Sequence, residues 1–193
     1  LVTAAGSVPV TLAVHGEHQV GNSLAAAAVA LELGMPLPAL AGALGRARAL
    51  SRWRMELTER PDGVLVVNDA YNANPESMAA ALRALTTMAR GRRSWAVLGE
   101  MGELGPAAAD EHRRIGELTA ELGVDRVVVV GPGAQPMHAA AREGAVHVDD
   151  ADAAIALLRT QLRPEDVVLV KASRAAGLER VALALAEPVG AAS

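Results

Sequence analysis

The sequence predicts an α/β fold, a Rossmann-like and mostly parallel sheet with helices on both faces. Short, largely apolar segments such as those at 126–130 and 167–171 alternate with segments of helical periodicity. Strands that are buried on both faces have this continuous apolar character, and their alternation with helices builds parallel βαβ units. The length of 193 residues fits one domain, or one domain with a piece of another.

The elements of this α/β domain follow one another from about residue 52. Residues 52–60 are expected to be extended, and Pro61-Asp62-Gly63 predicts a turn of the hairpin kind. Pro75 stands where a first helical residue belongs, and Gly91 ends the helix that follows it. The remaining strands are predicted at 64–69, 95–98, 126–130, 145–148 and 167–171, and the helices at 75–90, 106–122, 134–142, 149–162 and 177–186.

Residues 1–51 are predicted to be the tail of a preceding domain, and residues 52–193 to form the α/β domain itself. The tail begins with an apolar segment, 8–14, which is predicted to be a short strand. A helix is predicted at 19–33, where Gly34 and Pro36 end it, and a second helix at 37–50.

Composition excludes several classes of protein. A net charge of −4 does not indicate a nucleic-acid binder, and the absence of cysteine excludes a disulfide scaffold and a thiol nucleophile. The chain has no apolar run near the ~18 residues that a membrane span needs, so a cytoplasmic protein is expected. The sequence begins at Leu1 rather than Met, so the chain is expected to be part of a longer protein. Lys171 is the only lysine and Ala172 follows it, so no Gly-Lys-Ser/Thr phosphate-binding loop is present.

Polar residues follow three of the predicted strands, at the point where each strand ends. Because ligands of open α/β sheets bind at the carboxyl ends of the strands, these residues predict a site along one edge. Asn74 also suits the N-cap of the following helix, and Glu100 and Glu103 either orient a substrate or cap their loop. The three sets are Asp69, Tyr71, Asn72 and Asn74; Glu100 and Glu103; and Lys171, Ser173 and Arg174.

Other segments carry weaker signals. Gly131-Pro132-Gly133 follows a strand, but Pro136 stands where a dinucleotide-binding fingerprint has its third glycine, so a cofactor role is not predicted. The acidic run 149–152 is explained by the favourable charge of acidic residues at a helix start, and no metal site is predicted.

The octet from Asn68 to Pro75, followed by Glu76-Ser77-Met78, resembles a signature of the Mur ligase family of peptidoglycan synthesis. Further segments resemble the family in the same order. Ala172 stands where the family usually has glycine, and it would be strained if that backbone position required a positive φ. Leu178 stands where methionine is usual. The matching segments are 16–22, 54–56, 97–105 with His112, and 169–174 with Glu179.

The resemblance implies a reaction and a set of partners. It implies an ATP- and Mg²⁺-dependent ligase that adds D-alanyl-D-alanine to UDP-N-acetylmuramoyl-tripeptide through an acyl phosphate. Residues 1–51 would be the end of the central ATPase domain. The phosphate-binding half of that domain, with the metal ligands, would lie outside this chain. The intact enzyme is expected to be a cytoplasmic monomer, and the isolated fragment to be inactive.

The resemblance also implies residue roles. Asn22 matches an asparagine that reads the adenine edge, and His18 lies four positions earlier on the same helical face. Arg54 matches the catalytic arginine that the C-terminal domain presents to the γ-phosphate. Asp69 matches the carboxylate that accepts from the ribose hydroxyls. The pocket for D-alanyl-D-alanine would be lined by Asn72, Asn74, Ser173 and Arg174.

Two alternatives stay open. One is an autonomous, non-catalytic α/β module that binds a nucleotide or another ligand. The other is a Mur-type ligase with a different amino-acid acceptor, although the stretch from Tyr71 to Asn74 argues against it. The residues that precede Leu1 in the reading frame would discriminate between a module and a ligase.

Overall fold

The computed structural model describes residues 1–4, 6–14, 18–47 and 52–187, apart from the side chain of His18. It divides the chain into two compact units, Leu1–Ser51 and Arg52–Ser193. None of the helices within the described ranges combines the length and the hydropathy that a membrane crossing requires.

The first unit contains a small hairpin and two helices. Strands β1 (Val2–Thr3) and β2 (Gly6–Ser7) pair antiparallel, and helices α1 (His18–Glu32) and α2 (Leu37–Arg46) follow. Its described buried apolar residues are Ala27 of α1 and Leu40 of α2. Several apolar side chains in α1 and in the residues just after it are exposed, namely Val20, Leu24, Val29, Leu33 and Met35.

The strand predicted at 8–14 is wrong. The structure has no strand in this described segment, and the hairpin of the unit lies earlier, at β1 and β2. Pro9 supplies no backbone N–H to a ladder, and Val8 N instead donates to Leu1 O at 3.0 Å, which closes the hairpin. An apolar run alone therefore did not identify a strand here. The two helices of the unit are confirmed, although α2 ends at Arg46.

The second unit is built on a six-stranded sheet. Its strands are β3 (Glu56–Glu59), β4 (Leu65–Asn68), β5 (Ser94–Leu98), β6 (Arg126–Val130), β7 (Val146–Val148) and β8 (Val167–Lys171). They lie in the order β3-β4-β8-β5-β6-β7, in which β3 pairs antiparallel with β4 and every other pair is parallel. The turn predicted at Pro61-Asp62-Gly63 joins the one antiparallel pair of this sheet, and the mostly parallel sheet is confirmed.

Helices cover both faces of this sheet, as predicted. They are α3 (Pro75–Ala89), α4 (Ala108–Glu121), α5 (Gln135–Ala140), α6 (Ala151–Gln161) and α7 (Glu179–Ala186). Residues of α3, α4 and α5 form one core with the sheet, and residues of α6 and α7 form a second core. Alternate residues of each strand pack into opposite cores: Val67 and Leu169 belong to the first core, whereas Val66 and Val168 belong to the second.

The amino edge of the sheet is held by a partly buried ion pair. The Arg93 guanidinium donates from Nε and Nη2 to the carboxylate of Asp166, at 2.9 and 2.6 Å, and Trp95 Nε1 donates to the same carboxylate at 2.9 Å. This hydrogen-bonded carboxylate raises the pKa of Arg93 further above its usual value. The pair joins the starts of β5 and β8, at the edge opposite the predicted site.

Candidate functional site

The loops after β4, β5 and β8 meet at the carboxyl edge of the sheet, as the sequence predicts. Backbone hydrogen bonds connect them: Asp69 N donates to Val170 O at 2.9 Å, and Ser173 N donates to Glu100 O at 2.8 Å. Because β8 lies between β4 and β5, its loop touches both neighbours. Asp69, Glu100 and Ser173 therefore share one edge.

A buried ion pair lies at the centre of this edge. Lys171 Nζ donates to Asp69 Oδ2 at 2.5 Å and to Asn72 O at 3.0 Å, and the lysine side chain is only 3% exposed. The second carboxylate oxygen, Asp69 Oδ1, accepts from Met55 N at 3.0 Å. Each carboxylate oxygen has a further acceptor position, so Asp69 keeps the capacity to accept from a ligand.

The segment that enters the domain is held in an uncommon conformation. Trp53 and Met55 have positive φ values, 60° and 49°, which cost free energy in a residue with a Cβ. Hydrogen bonds stabilise the segment: Trp53 N donates to Glu56 Oε2 at 3.1 Å, and Tyr71 N donates to Trp53 O at 3.1 Å. Together with the bond from Met55 N, they fix the backbone on both sides of Arg54 against the loop after β4.

Both site arginines lie over aromatic rings. The Arg54 guanidinium is 4.5 Å from the ring centroid of Tyr71. The Arg174 guanidinium is 4.1 Å from the ring centroid of Trp53, and its Nη1 is 3.5 Å from the Glu179 carboxylate. A guanidinium over a ring face keeps its N–H donors free in its own plane. Both cations are therefore ordered, and both remain exposed to a ligand.

The two asparagines of the loop differ in what they do. Asn74 is the N-cap of α3: its Oδ1 accepts from Ser77 N at 2.8 Å, and Ser77 Oγ accepts from Asn74 N at 3.0 Å. This capping was predicted, and it occupies the amide oxygen of Asn74. Asn72 uses its Oδ1 for Ala73 N at 2.9 Å, and its side chain is exposed. The NH₂ groups of both amides stay available to a ligand.

The strain predicted at Ala172 does not occur. Ala172 is buried and is absent from the described residues with a positive φ. A Cβ placed on Gly99 would lie 2.8 Å from Ala172 Cβ and 2.9 Å from Leu178 Cδ1. The close approach is thus accommodated by Gly99, the residue that follows the neighbouring strand β5. Ser173 is buried beside Gly102.

The Glu100 carboxylate lies over Gly133, in the loop that follows β6, the next strand along the sheet. A Cβ on Gly133 would lie 2.4 Å from Glu100 Cδ, so any residue other than glycine would require the Glu100 side chain to move. Glu103 is exposed at a positive φ of 62°. His112 is buried and braces the same loop, because its Nε2 accepts from Met101 N at 2.9 Å and its Nδ1 contacts Ala108 O at 2.7 Å. Neither glutamate is a cap in the described hydrogen bonds.

The remaining predicted residues belong to the first unit. Asn22 is exposed on α1, where its Nδ2 donates to Gln19 Oε1 at 3.1 Å. His18 begins α1, and its side chain lies outside the described residues. Among the described side chains, no cluster of three or more histidines and carboxylates has the arrangement of a metal site. The described edge therefore offers guanidinium, amide and carboxylate groups for an anionic or polar ligand.

This geometry agrees with the comparisons with known proteins. The family model of the Mur ligase glutamate ligase domain matches residues 53–174, the part of the chain that carries every loop of the edge. The chain belongs to the Mur ligase family. The family and the fold predicted from the sequence are both confirmed.

Individual Mur ligases are similar over most of the chain. A UDP-N-acetylmuramoyl-tripeptide–D-alanyl-D-alanine ligase of Mycobacterium tuberculosis is 54% identical over 91% of this chain. A crystal structure of MurF from Acinetobacter baumannii superimposes with a TM-score of 0.86 at 32% identity, over 96% of the chain and 41% of that protein. MurF from Thermotoga maritima, solved in complex with ADP, has a TM-score of 0.75 at 30% identity, over 89% and 38%. The chain spans 39% of the length of the Mycobacterium relative.

Sequence reasoning left several residues of this Mur ligase edge without a role. They are Trp53, Tyr71, Lys171 and Glu179. Lys171 carried a signal, because a lone lysine that ends an apolar strand in mid-sheet needs a partner for its charge. The aromatic rings carried none, since neither Trp53, which stands between two arginines, nor Tyr71 reveals in the sequence which guanidinium lies over its ring.

Proposed function

We propose that this chain is part of an ATP-dependent ligase that joins D-alanyl-D-alanine to UDP-N-acetylmuramoyl-tripeptide. The observation that carries the proposal is the single edge that gathers Asp69, Asn72 and two ring-stacked arginines, Arg54 and Arg174. Relatives that are similar over most of this chain are named as UDP-N-acetylmuramoyl-tripeptide–D-alanyl-D-alanine ligases. The second unit would supply the surface that covers the nucleotide and receives the amine substrate.

Arg54 is assigned to the transferred phosphoryl group. Bound ATP would supply that group, which activates the carboxylate of the tripeptide. The Arg54 guanidinium is permanently charged, exposed and held over Tyr71, so it suits the negative charge of a phosphoryl transition state. Asp69 would accept from the ribose hydroxyls with the acceptor positions that Lys171 and Met55 leave unused.

The nucleotide base is assigned to the first unit. Asn22 would read the adenine edge, because an exposed amide both donates and accepts. His18 is assigned beside it. The exposed apolar residues of α1, among them Val20 and Leu24, support a place for this unit within a larger ATPase domain, against which they would pack. The Mg²⁺ ligands are assigned to the part of the ligase outside this chain.

The dipeptide is assigned to the loops after β4 and β8. The Arg174 fork suits a bidentate contact with the dipeptide carboxylate, although Glu179 already neutralises part of its charge at 3.5 Å. The NH₂ groups of Asn72 and Asn74 would donate to its carbonyl oxygens. Ser173, buried in the loop after β8, would add a hydroxyl that both donates and accepts.

The test uses the intact ligase and this chain side by side. With UDP-N-acetylmuramoyl-tripeptide, D-alanyl-D-alanine, ATP and Mg²⁺, the intact ligase should form the pentapeptide product, detected by mass spectrometry, and release phosphate. This chain alone should bind nucleotide weakly and form no product. Turnover by the chain alone, or an intact enzyme that prefers a single amino acid over the dipeptide, would contradict the proposal.

A further inference from the structure

Burial of the Lys171–Asp69 ion pair at the edge of the sheet costs desolvation free energy. Lys171 is 2% exposed, and its ammonium exchanges all but a trace of water for one carboxylate oxygen and one carbonyl. Burying two charges gives little net stability compared with an apolar pair of the same size. Stability alone therefore does not account for a lysine at this position.

The pair holds three segments that carry proposed site residues. Lys171 Nζ binds Asp69 Oδ2 and Asn72 O, so it spans the loop after β4. Asp69 Oδ1 accepts from Met55 N, which belongs to the residue next to Arg54. A displacement of the ammonium would move the carboxylate, the Asn72 backbone and the entry segment together.

Charge gives the pair a second consequence. Asp69 is 13% exposed and lies on the edge assigned to a nucleotide. An unneutralised carboxylate there would repel the phosphates of that nucleotide, and low exposure would strengthen the repulsion. The Lys171 ammonium makes the pair neutral while it leaves acceptor positions on Asp69.

We propose that Lys171 is a positioning residue of this site. It holds the Asp69 carboxylate and the Asn72 carbonyl directly, and through Asp69 and Met55 N it fixes the backbone that presents Arg54. The inference deepens the proposed function and rests on it. A misplacement of about 1 Å in a group that stabilises a transition state costs on the order of 10²-fold in rate, so loss of Lys171 is expected to lower kcat/KM for ATP by roughly that factor.

The first experiment compares Lys171→Met with a matched variant in the intact ligase. Arg93→Met also removes the cation of an ion pair in the same sheet, partly buried and at the opposite edge, where Arg93 Nη2 lies 2.6 Å from Asp166 Oδ2. Both variants should lower Tm, and only Lys171→Met should lower kcat/KM. Equal kinetic losses in the two variants, or none in Lys171→Met, would overturn the inference. If Lys171→Met does not fold, Lys171→Gln takes its place, because its amide can still donate.

The second experiment is a double-mutant cycle with Asp69→Asn. If Lys171 acts through Asp69, the double variant should lose no more kcat/KM than Asp69→Asn alone, because the two changes break one unit. Losses that multiply would show that Lys171 acts independently of Asp69, and the positioning role through that carboxylate would be rejected.

A third measurement separates this inference from the proposed function. Amide hydrogen exchange at Met55, measured on the whole chain without substrate, should accelerate at least tenfold in Lys171→Met and remain unchanged in Arg93→Met. Unchanged exchange at Met55 in Lys171→Met would reject the positioning role, whatever the enzyme catalyses. An intact wild-type ligase that forms no dipeptide product would instead reject the proposed function and leave the exchange result standing.

Discussion

The guanidinium of Arg174 lies 4.1 Å from the ring centroid of Trp53. The two residues are far apart in the chain, because Trp53 lies at the start of the domain and Arg174 follows its last strand. The ring covers one face of the cation, and Glu179 lies 3.5 Å from its Nη1. The arginine assigned to the dipeptide is thus ordered by the same segment that carries Arg54. The entry segment therefore belongs to the site as well as to the chain connection.

Replacement of Trp53 by leucine should weaken dipeptide binding. Leucine keeps apolar bulk but has no π face, and a partly exposed cation–π contact contributes about 0.5–1 kcal/mol. We expect the KM for D-alanyl-D-alanine to rise about 2- to 5-fold in the intact ligase, with a smaller change in the KM for ATP. Trp53→Phe, which retains a ring, is the control. A larger effect on the KM for ATP would place Arg174 on the nucleotide instead.

Replacement of Arg54 by alanine should act on the chemical step. The loss of one charged contact that forms in a transition state lowers kcat by on the order of 10²–10³-fold. Arg52→Ala is the matched control, because Arg52 is an exposed arginine only two residues earlier. Steady-state phosphate release measures both variants. Unchanged kcat in Arg54→Ala would remove this residue from the site.

Much of the domain was predictable because its signals are local. The β-branched run of β6 identifies a strand buried on both faces, and the Asn74-Pro75 pair identifies a helix start. The edge itself followed from a rule of topology, since the carboxyl ends of parallel neighbours meet. The strand at 8–14 failed because apolar character alone does not supply a pairing partner, and Pro9 removes a donor.

The contacts of the site were less predictable because they join residues far apart in the chain. Lys171 and Asp69 are separated by 102 positions, and nothing near either residue reveals the other as its partner. The same holds for Trp53 beneath Arg174. Sequence patterns identified which loops meet, whereas side-chain length and packing decided which groups touch.

The two loop asparagines should separate into a binding and a structural role. Asn72→Ala should raise the KM for the dipeptide more than the KM for ATP, because the exposed Asn72 amide is assigned to the dipeptide, while its carbonyl keeps the bond from Lys171. Steady-state kinetics with each substrate varied in turn measures this. A larger change in the KM for ATP would place the loop on the nucleotide.

Asn74→Ala should lower the free energy of unfolding of the chain by about 1 kcal/mol, because it removes the side-chain acceptor that caps α3. Asn74→Ser is the control, since serine can accept from the same backbone N–H. Urea unfolding followed by circular dichroism measures the difference. If alanine and serine at this position are equally stable, the cap contributes nothing and the asparagine is explained by binding alone.

The stability of the fold should depend on pH through Asp125, which lies away from the site and contacts Ser94 at the start of β5. Burial pushes the pKa of Asp125 upward, but its Oδ2 accepts from Ser94 N and Ser94 Oγ, both at 2.8 Å, and these bonds leave the pKa below its usual value. A carboxyl whose pKa is lower in the folded state stabilises the fold above its unfolded pKa and loses that contribution as pH falls through its folded pKa. Asp125→Asn should therefore be less stable than the wild type at pH 7, and the gap should narrow as the pH falls below about 4. Urea titrations at each pH measure this gap, with Asp149→Asn, a change at an exposed aspartate, as the control. A gap at Asp125 that widened toward low pH would reverse the assigned direction.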